Sequence, residues 1–440
     1  MHSHVVVGLA FGDEGKGSWV DHLCRRHKIN TIVRFNGGAQ ALHHVTTEAG
    51  VTHGFSQFGS HSFIPGAKTM LSRYMLVEPV QLMFEAEDLV KKGVTAPLRR
   101  LYISDLAPII PFTNVLLNQI MELARGNERH GSCGLGIGLT QRDIDQGDKP
   151  VIRAGDLKDR ISLVAKLREH LDLTLREVKG YHGAAESQQY KYLCEEFENF
   201  LPKYVDIYCE LGRVTNIVPE AAFLSTLRRT PAVFEGAQGA LLDQSQGTFP
   251  YCTRSTTTSI NAQTLLSEAG FTGDVTRHGL LRAYGTRHGA GPFVTEDINL
   301  DIPQCDNSTG QWQGQFRKGW FDVVAARTAL QFSEVDALVL TNLDRLDGLS
   351  ELWVATRYGG LGRQFYHRRK NRLVTASNYD HSKRRTDALH TAKPVYESMS
   401  GYADEHDPHQ EGYIQFLEGK IGRQINALSR RKDHHKVYRT

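Results

Sequence analysis

His4-Val5-Val6-Val7-Gly8-Leu9-Ala10-Phe11-Gly12-Asp13-Glu14-Gly15-Lys16-Gly17-Ser18 is the stretch that decides the fold. An apolar β-branched run enters a glycine-rich loop, and from Gly17 to Lys28 the spacing of Val20, Leu23 and Cys24 is helical. Strand, loop and helix therefore follow one another at the start of the chain. At such a junction backbone N–H groups and the positive end of the helix can surround phosphate oxygens, and Lys16 adds a mobile charge. The loop is P-loop-like without being a Walker A motif, which would need Gly at Ala10 and Ser or Thr at Gly17. Two carboxylates beside a phosphate site, Asp13 and Glu14, call for a purpose: binding Mg²⁺ or accepting a proton.

Working outward, a second short strand over Thr31 to Phe35 ends at Gly37-Gly38 and completes a βαβ unit with phosphate-sized loops at its carboxyl ends. Helices are expected over Glu78 to Lys92, Asp156 to Lys179 and Glu186 to Tyr208, the last kinked at Pro202. Its stripe of Tyr190, Leu193, Phe197, Leu201, Tyr204 and Tyr208 reads as core packing rather than a cofactor surface. A helix over Phe321 to Phe332 and a strand over Val335 to Thr341 repeat the alternation. The fold class is α/β: one large domain over 1–440 around a mainly parallel sheet, with a helical insertion at about 156–212.

Composition narrows the function classes. Hydrophobic residues at 40%, charged residues at 23% and only 14 Pro exclude a disordered chain. No apolar run approaches the length of a membrane span, and the start carries no signal-peptide pattern, so a cytoplasmic protein without membrane contact is expected. Six cysteines without a CxxC pair fit a reducing compartment. A net charge of +3 does not call for nucleic acid, and Arg368-Arg369-Lys370 and Arg430-Arg431-Lys432 read as solvated faces. His406 and His409, with Asp404 and Asp407, read as a solvated loop rather than a metal site, because Pro408 interrupts any helix that would align them.

Further glycine-rich clusters stand at Arg34 to His44 and Gly131 to Gly138. The decisive ones are Phe234-Glu235-Gly236-Ala237-Gln238-Gly239-Ala240-Leu241-Leu242-Asp243, Gly247-Thr248-Phe249-Pro250-Tyr251-Cys252-Thr253, Ala283 to Phe293, and Leu343-Asp344-Arg345-Leu346-Asp347-Gly348. With Gly12 to Gly17, and in this order as far as Pro394-Val395-Tyr396-Glu397, the chain resembles the adenylosuccinate synthetase family. The resemblance implies a homodimer that uses GTP and Mg²⁺ to join IMP to L-aspartate through a 6-phosphoryl intermediate.

Carried over position by position, the resemblance makes Asp13 the base for the purine N1 proton and, with the backbone at Leu42, a magnesium ligand. It makes His43 the cation beside the transferring phosphoryl group, Lys16 a phosphate contact and Gln238 a contact to the base. Gly12, Gly15 and Gly17 would cradle phosphate, and Asp344, Asn342 and Ser429 would surround guanine. Gln40, Ser132, Cys133, Lys149 and Thr253 would meet IMP, with Lys149 standing for a cation that crosses the dimer interface, and Arg317 would meet the amino acid. Several positions depart from the family pattern. Leu42 replaces glycine, Cys133 a threonine, Asn342 a lysine and His288 a valine, while Gln311 to Trp320 replaces a run of arginines and Ser429 to Lys432 a glycine-containing lid. These changes keep two other readings open: synthesis of 2-aminoadenylosuccinate from GMP or dGMP with ATP, and a nucleotide-binding pseudoenzyme.

Overall fold

The structure is a computed structural model that describes residues 1–302, 312, 314–430 and 437–438. Its centre is a ten-stranded sheet in the order Val437–Tyr438, Ala427–Ser429, Ala337–Thr341, Asp274–Arg282, His2–Gly8, Val233–Gly239, Thr31–Arg34, Lys68–Leu71, Leu101–Ser104, Asn216–Val218. Every neighbouring pair is parallel except the one at Val437–Tyr438. The continuous apolar run at Val5, Val6 and Val7 follows from this, because a central parallel strand is covered on both faces and all three side chains are buried.

His2–Gly8 lies in the middle of the sheet. The chain builds the flank from Thr31–Arg34 to Asn216–Val218, then returns beside the first strand with Val233–Gly239 on one side and Asp274–Arg282 on the other. A reversal of this kind leaves a crevice at the carboxyl ends of the central strands, where α/β sheets hold ligands. The Gly8 to Lys16 loop opens into that crevice, followed by the helix Lys16–His27.

The remaining helices stand close to their expected places. Pro79–Lys91 starts at the Glu78 cap, and Arg160–Val178 follows a short 3₁₀ turn, Ala154–Lys158. Regularity between Gln188 and Val214 breaks in a π turn, Tyr192–Glu196, and Pro202 sits downstream inside the helix Phe197–Val214. The break in regularity thus falls about two to three turns before Pro202 and not at it. Pro408 does not interrupt a helix but starts one, Pro408–Ile421, since at the first position a missing N–H costs nothing. Among the described residues no helix is long and apolar enough to cross a membrane.

Histidines crowd the amino end of the first strand. His4 Nδ1 and His278 Nε2 lie 3.1 Å apart, and the rings of His2 and His27 stand 4.5 and 4.4 Å from His4. Burial, then the neighbouring histidines, pulls His4 from 6.5 to about 3; burial with His27 and His2 pulls His278 to about 4. Both are neutral when folded and bind protons once unfolded, so their contribution is complete above pH 6.5 and is lost as pH falls toward 4 and 3. Thermal unfolding of wild type and a His4→Leu/His278→Leu variant between pH 7.5 and 4.5 checks this. The variant is expected to lose less stability on acidification, by roughly 1 kcal/mol per pH unit for each histidine, and parallel curves would refute it.

Candidate active site

Glu14 organises the first loop from within. It is completely buried; Oε1 accepts the N–H of Ala10 at 3.0 Å and of Gly12 at 2.9 Å, and Oε2 takes Lys16 Nζ at 2.6 Å. It therefore faces the loop's own backbone and Lys16, which leaves it neither of the roles, metal ligand or proton acceptor, that its sequence position suggested. A Cβ at Gly8 would lie 2.2 Å from this carboxylate and one at Gly239 2.6 Å, so both strands need glycine there. Gly15, in left-handed conformation at φ 77, caps the helix Lys16–His27 with no side-chain hydrogen bond, which leaves the amide end of the helix to the crevice.

Asp13 leaves the loop at φ 61 with its carbonyl held by Arg282 Nη1 at 3.0 Å. Its Oδ2 lies 3.1 Å from His288 Nε2. Burial works to raise the Asp13 pKa, but the His288 hydrogen bond and the charges of His288, Arg282 and Lys16 outweigh it and hold the carboxyl below its ordinary value. Asp13 is therefore ionised at neutral pH, as a base must be.

His43 sits across the cavity, and its backbone packs where a Cβ on Gly17 would come within 2.9 Å of its own. Its Nδ1 donates to Glu235 Oε1 at 2.5 Å. Glu235, wholly buried on the strand Val233–Gly239, also accepts from Ser60 N at 2.9 Å and from the Ser60 hydroxyl. Burial pulls the imidazole down while Glu235 opposes it, with Arg34 and Lys16 adding to the fall. The bond at Nδ1 leaves Nε2 for a ligand. Further along the same strand the pairing slips after Glu235, and Gln238 takes φ 62. Its Oε1, and both amide atoms of Gln40, are buried without a partner, which marks them as polar groups shaped for a ligand.

These groups line one cavity of about 1090 Å³. It brings together Gly12, Asp13, Gly15, Lys16, Gly17, Gln40, Leu42, His43, Ser132, Cys133, Gln238, Thr253, Asn342 and Ser429. The Ser132 to Gly136 loop is strapped to the helix Phe112–Ala124: Asn118 Nδ2 donates to Ser132 Oγ at 2.9 Å, Gln119 Nε2 to Gly134 O at 3.1 Å. Burial pushes the Cys133 thiol up to about 11, so it is a neutral donor and not a thiolate.

Three of the expected contacts are not at the cavity wall. Lys149 is buried and its ammonium is bound within its own chain, to Glu177 Oε2 at 2.8 Å and Thr174 Oγ1 at 3.1 Å. Within this chain its ammonium is directed to the half-buried Glu177 and does not reach the cavity. Arg317 spends its guanidinium on Glu296, at 2.8 and 2.6 Å, and on the carbonyls of Gly289 and Gly291. Asp344 lies just behind the wall, 3.7 Å from Arg345 Nε, between the lining residues Asn342 and Arg345. Arg430 is drawn onto Asp347 at 2.5 and 2.6 Å; Gln311, Gln313, Arg431 and Lys432 lie outside the described residues. Sequence reasoning missed Arg282 and Arg254. Arg282 ends the strand Asp274–Arg282 at the crevice, and Arg254 follows Thr253 into the cavity lining without an ion pair among the described residues. The basic residue directly after the Tyr251-Cys252-Thr253 run was the available signal for the second.

Glu235→Gln removes the countercharge beside His43. Nitrogen-detected NMR of the imidazole is expected to show the His43 titration displaced further downward, and an unchanged or higher midpoint would contradict the coupling.

Comparison with known proteins gives one consistent answer. The family model described as adenylosuccinate synthetase matches residues 5–438. The adenylosuccinate synthetase of Aliivibrio fischeri is 31% identical, with 98% of this chain and 97% of that protein covered; that of Pseudomonas fluorescens is 33% identical over the same shares. A solved, fully ligated adenylosuccinate synthetase from Plasmodium falciparum has the same fold, with a TM-score of 0.77 over 99% of both chains at 23% identity. A cyanophage S-2L succinoaminodeoxyadenylate synthetase bound to dGMP and dATP is more distant, at a TM-score of 0.55 and 14% identity over 100% of this chain and 95% of that one.

Proposed function

The chain belongs to the adenylosuccinate synthetase family, and on that premise we propose that it joins C6 of IMP to the amine of L-aspartate, driven by hydrolysis of GTP. The observation that carries this reading is the convergence of Asp13, Lys16, His43 and Gln238 on one cavity with unpaired amide groups among them. A purine carbonyl oxygen is a poor leaving group, so it must first be phosphorylated. Asp13 takes the N1 proton, and the electron pair left on the ring makes O6 a nucleophile for the γ-phosphorus. The γ-phosphoryl group moves to O6, and the aspartate amine then displaces phosphate at C6. His43 faces the transferring group through Nε2. Burial keeps it from charging easily in the free protein, while Glu235 stabilises the imidazolium once phosphate charge arrives.

Mg²⁺ fits the donor set, since this ion uses one or two carboxylates and otherwise substrate phosphates and water. Asp13 and the backbone at Leu42, both at the cavity, would hold it. When bound it supplies charge neutralisation on the phosphates. Gln40, Ser132, Cys133, Thr253 and Arg254 are proposed to hold the IMP phosphate and base, with Gly12, Gly15 and Gly17 against the triphosphate. The working form is proposed to be a homodimer of chains in which 1–440 acts as one unit, helices 156–212 included. Synthesis from GMP or dGMP with ATP is the less supported reading, because Asp13 is kept and the cyanophage protein is the more distant relative in fold.

Triphosphate consumption is expected only with a 6-oxopurine monophosphate present, with adenylosuccinate as the product by mass. Asp13→Asn should lower turnover by roughly two to four orders of magnitude; near wild-type turnover in this variant would end the assignment.

Asp344 is proposed to read the donor base, since its carboxylate can accept both guanine N1–H and N2–H, whereas adenine presents an acceptor, its bare N1, at the same edge. A preference for GTP over ATP of roughly tenfold to a hundredfold in kcat/KM is expected, and Asp344→Ala should erase it. An ATP preference in wild type, or a GTP preference that survives the substitution, would rule this out.

A further inference from the structure

His288 touches Asp13, yet the reaction outlined above leaves it without a part. It closes the strand Gly285–His288, which pairs antiparallel with Phe316–Gly319 so that His288 stands directly opposite Phe316. The two rings lie 4.8 Å apart at 59°, and this packing sets the plane of the imidazole. An ionised carboxylate only accepts hydrogen bonds, so at 3.1 Å it is His288 Nε2 that carries the hydrogen and donates to Asp13 Oδ2.

Asp13 has reason to need such a partner. Its backbone is fixed in the left-handed region and its carbonyl is tied to Arg282, but 28% of its side chain is exposed. The terminal torsion of an aspartate is broad and two-fold, and a cation held mainly by charge restricts it less than a directional N–H does, so Oδ2 gains from a donor with Mg²⁺ bound as well as without it. Valine, the residue the family resemblance places here, has no N–H to claim it.

We propose that His288 is a positioning residue for Asp13, donating Nε2–H to Oδ2 so that Oδ1 is presented to the purine N1 proton. The proton balance is simple: the N1–H bond breaks, an Oδ1–H bond forms, and His288 keeps its Nε2–H throughout. The proposal rests on the function read above, in which Asp13 is the base. It adds that the orientation of this base is supplied by the strand pair Gly285–His288 and Phe316–Gly319, so the strand Phe316–Gly319 is mechanically joined to the proton-transfer step.

The test uses the full-length protein at saturating Mg²⁺ and L-aspartate with IMP and GTP varied in turn, and compares steady-state kinetics of wild type, His288→Val, His288→Gln, Asp13→Asn and the Asp13→Asn/His288→Val double variant. His288→Val is expected to lower kcat roughly tenfold while the KM values for IMP and GTP change less than about twofold, the signature of an interaction used in the transition state. His288→Gln, which keeps an N–H donor of similar reach, should recover much of the loss. In the Asp13→Asn background His288→Val should cost nothing further, because both variants remove the same oriented carboxylate. Full kcat in His288→Val, a change confined to KM, or an equal loss with and without Asp13 would overturn the proposal. If circular dichroism shows His288→Val unfolded, His288→Asn takes its place: its shorter side chain must lose kcat where His288→Gln keeps it, and equal rates overturn the proposal. A wild type without IMP-dependent turnover is a separate outcome that removes the function reading, and the proposal with it.

Discussion

One buried carboxylate holds the site together. Glu14 gathers two amide hydrogens and the Lys16 ammonium within a loop of nine residues, and the strands on either side must be bare where it sits. A buried charge of this kind is tolerable only when fully hydrogen-bonded. Its satisfaction fixes the loop that presents Asp13, Gly15 and the amide end of the first helix, and the Glu14 carbonyl in turn accepts from Thr341 Oγ1 at 2.9 Å. Because Thr341 ends the strand beside Asp274–Arg282, the carboxyl ends of the central strands are drawn toward the same loop.

A second buried carboxylate does similar work across the cavity. Glu235 is held ionised by His43, Arg34 and Ser60 against the cost of burial, and through it the imidazole is aimed with Nε2 outward. The base of the proposed reaction therefore comes from the loop that Glu14 fixes, and the cation from the start of the strand His43–Thr46, aimed by Glu235. This arrangement suits a phosphoryl transfer, in which positioning and fixed charge do most of the work.

The region expected to hold the amino acid is built on other terms. Arg317 is turned onto Glu296 and two carbonyls, Lys318 Nζ rests 3.4 Å from Ile302 O, and Trp312 lies against Gly134, where a Cβ would meet its ring at 2.7 Å. Trp312 thus meets the Ser132 to Gly136 loop, and the cationic side chains at the cavity belong to other stretches of chain, among them Arg125, Arg142, Arg254 and Arg282.

The sequence by itself determined the architecture and the inner ring of the site. A β-branched run, a glycine loop and a helical stripe within a few turns of chain are local signals, and the unbroken hydrophobicity of Val5 to Val7 already implied a strand covered on both faces. The order of the motifs likewise carried Asp13, Lys16, His43 and Gln238. What only the tertiary structure decided was where long charged side chains end. Glu14 reads as a metal or proton group from its place in the glycine loop, and Lys149 and Arg317 as ligand contacts from the family resemblance. Each instead satisfies a partner that is either a backbone amide of its own turn or a carboxylate or carbonyl 21 to 28 residues away or more. Arg254 was signalled only by its place after Thr253, while Arg282 and the His288 contact to Asp13 were invisible, since sequence spacing encodes which face of an element a residue takes, whereas the ion pair it makes depends on which elements the sheet brings together.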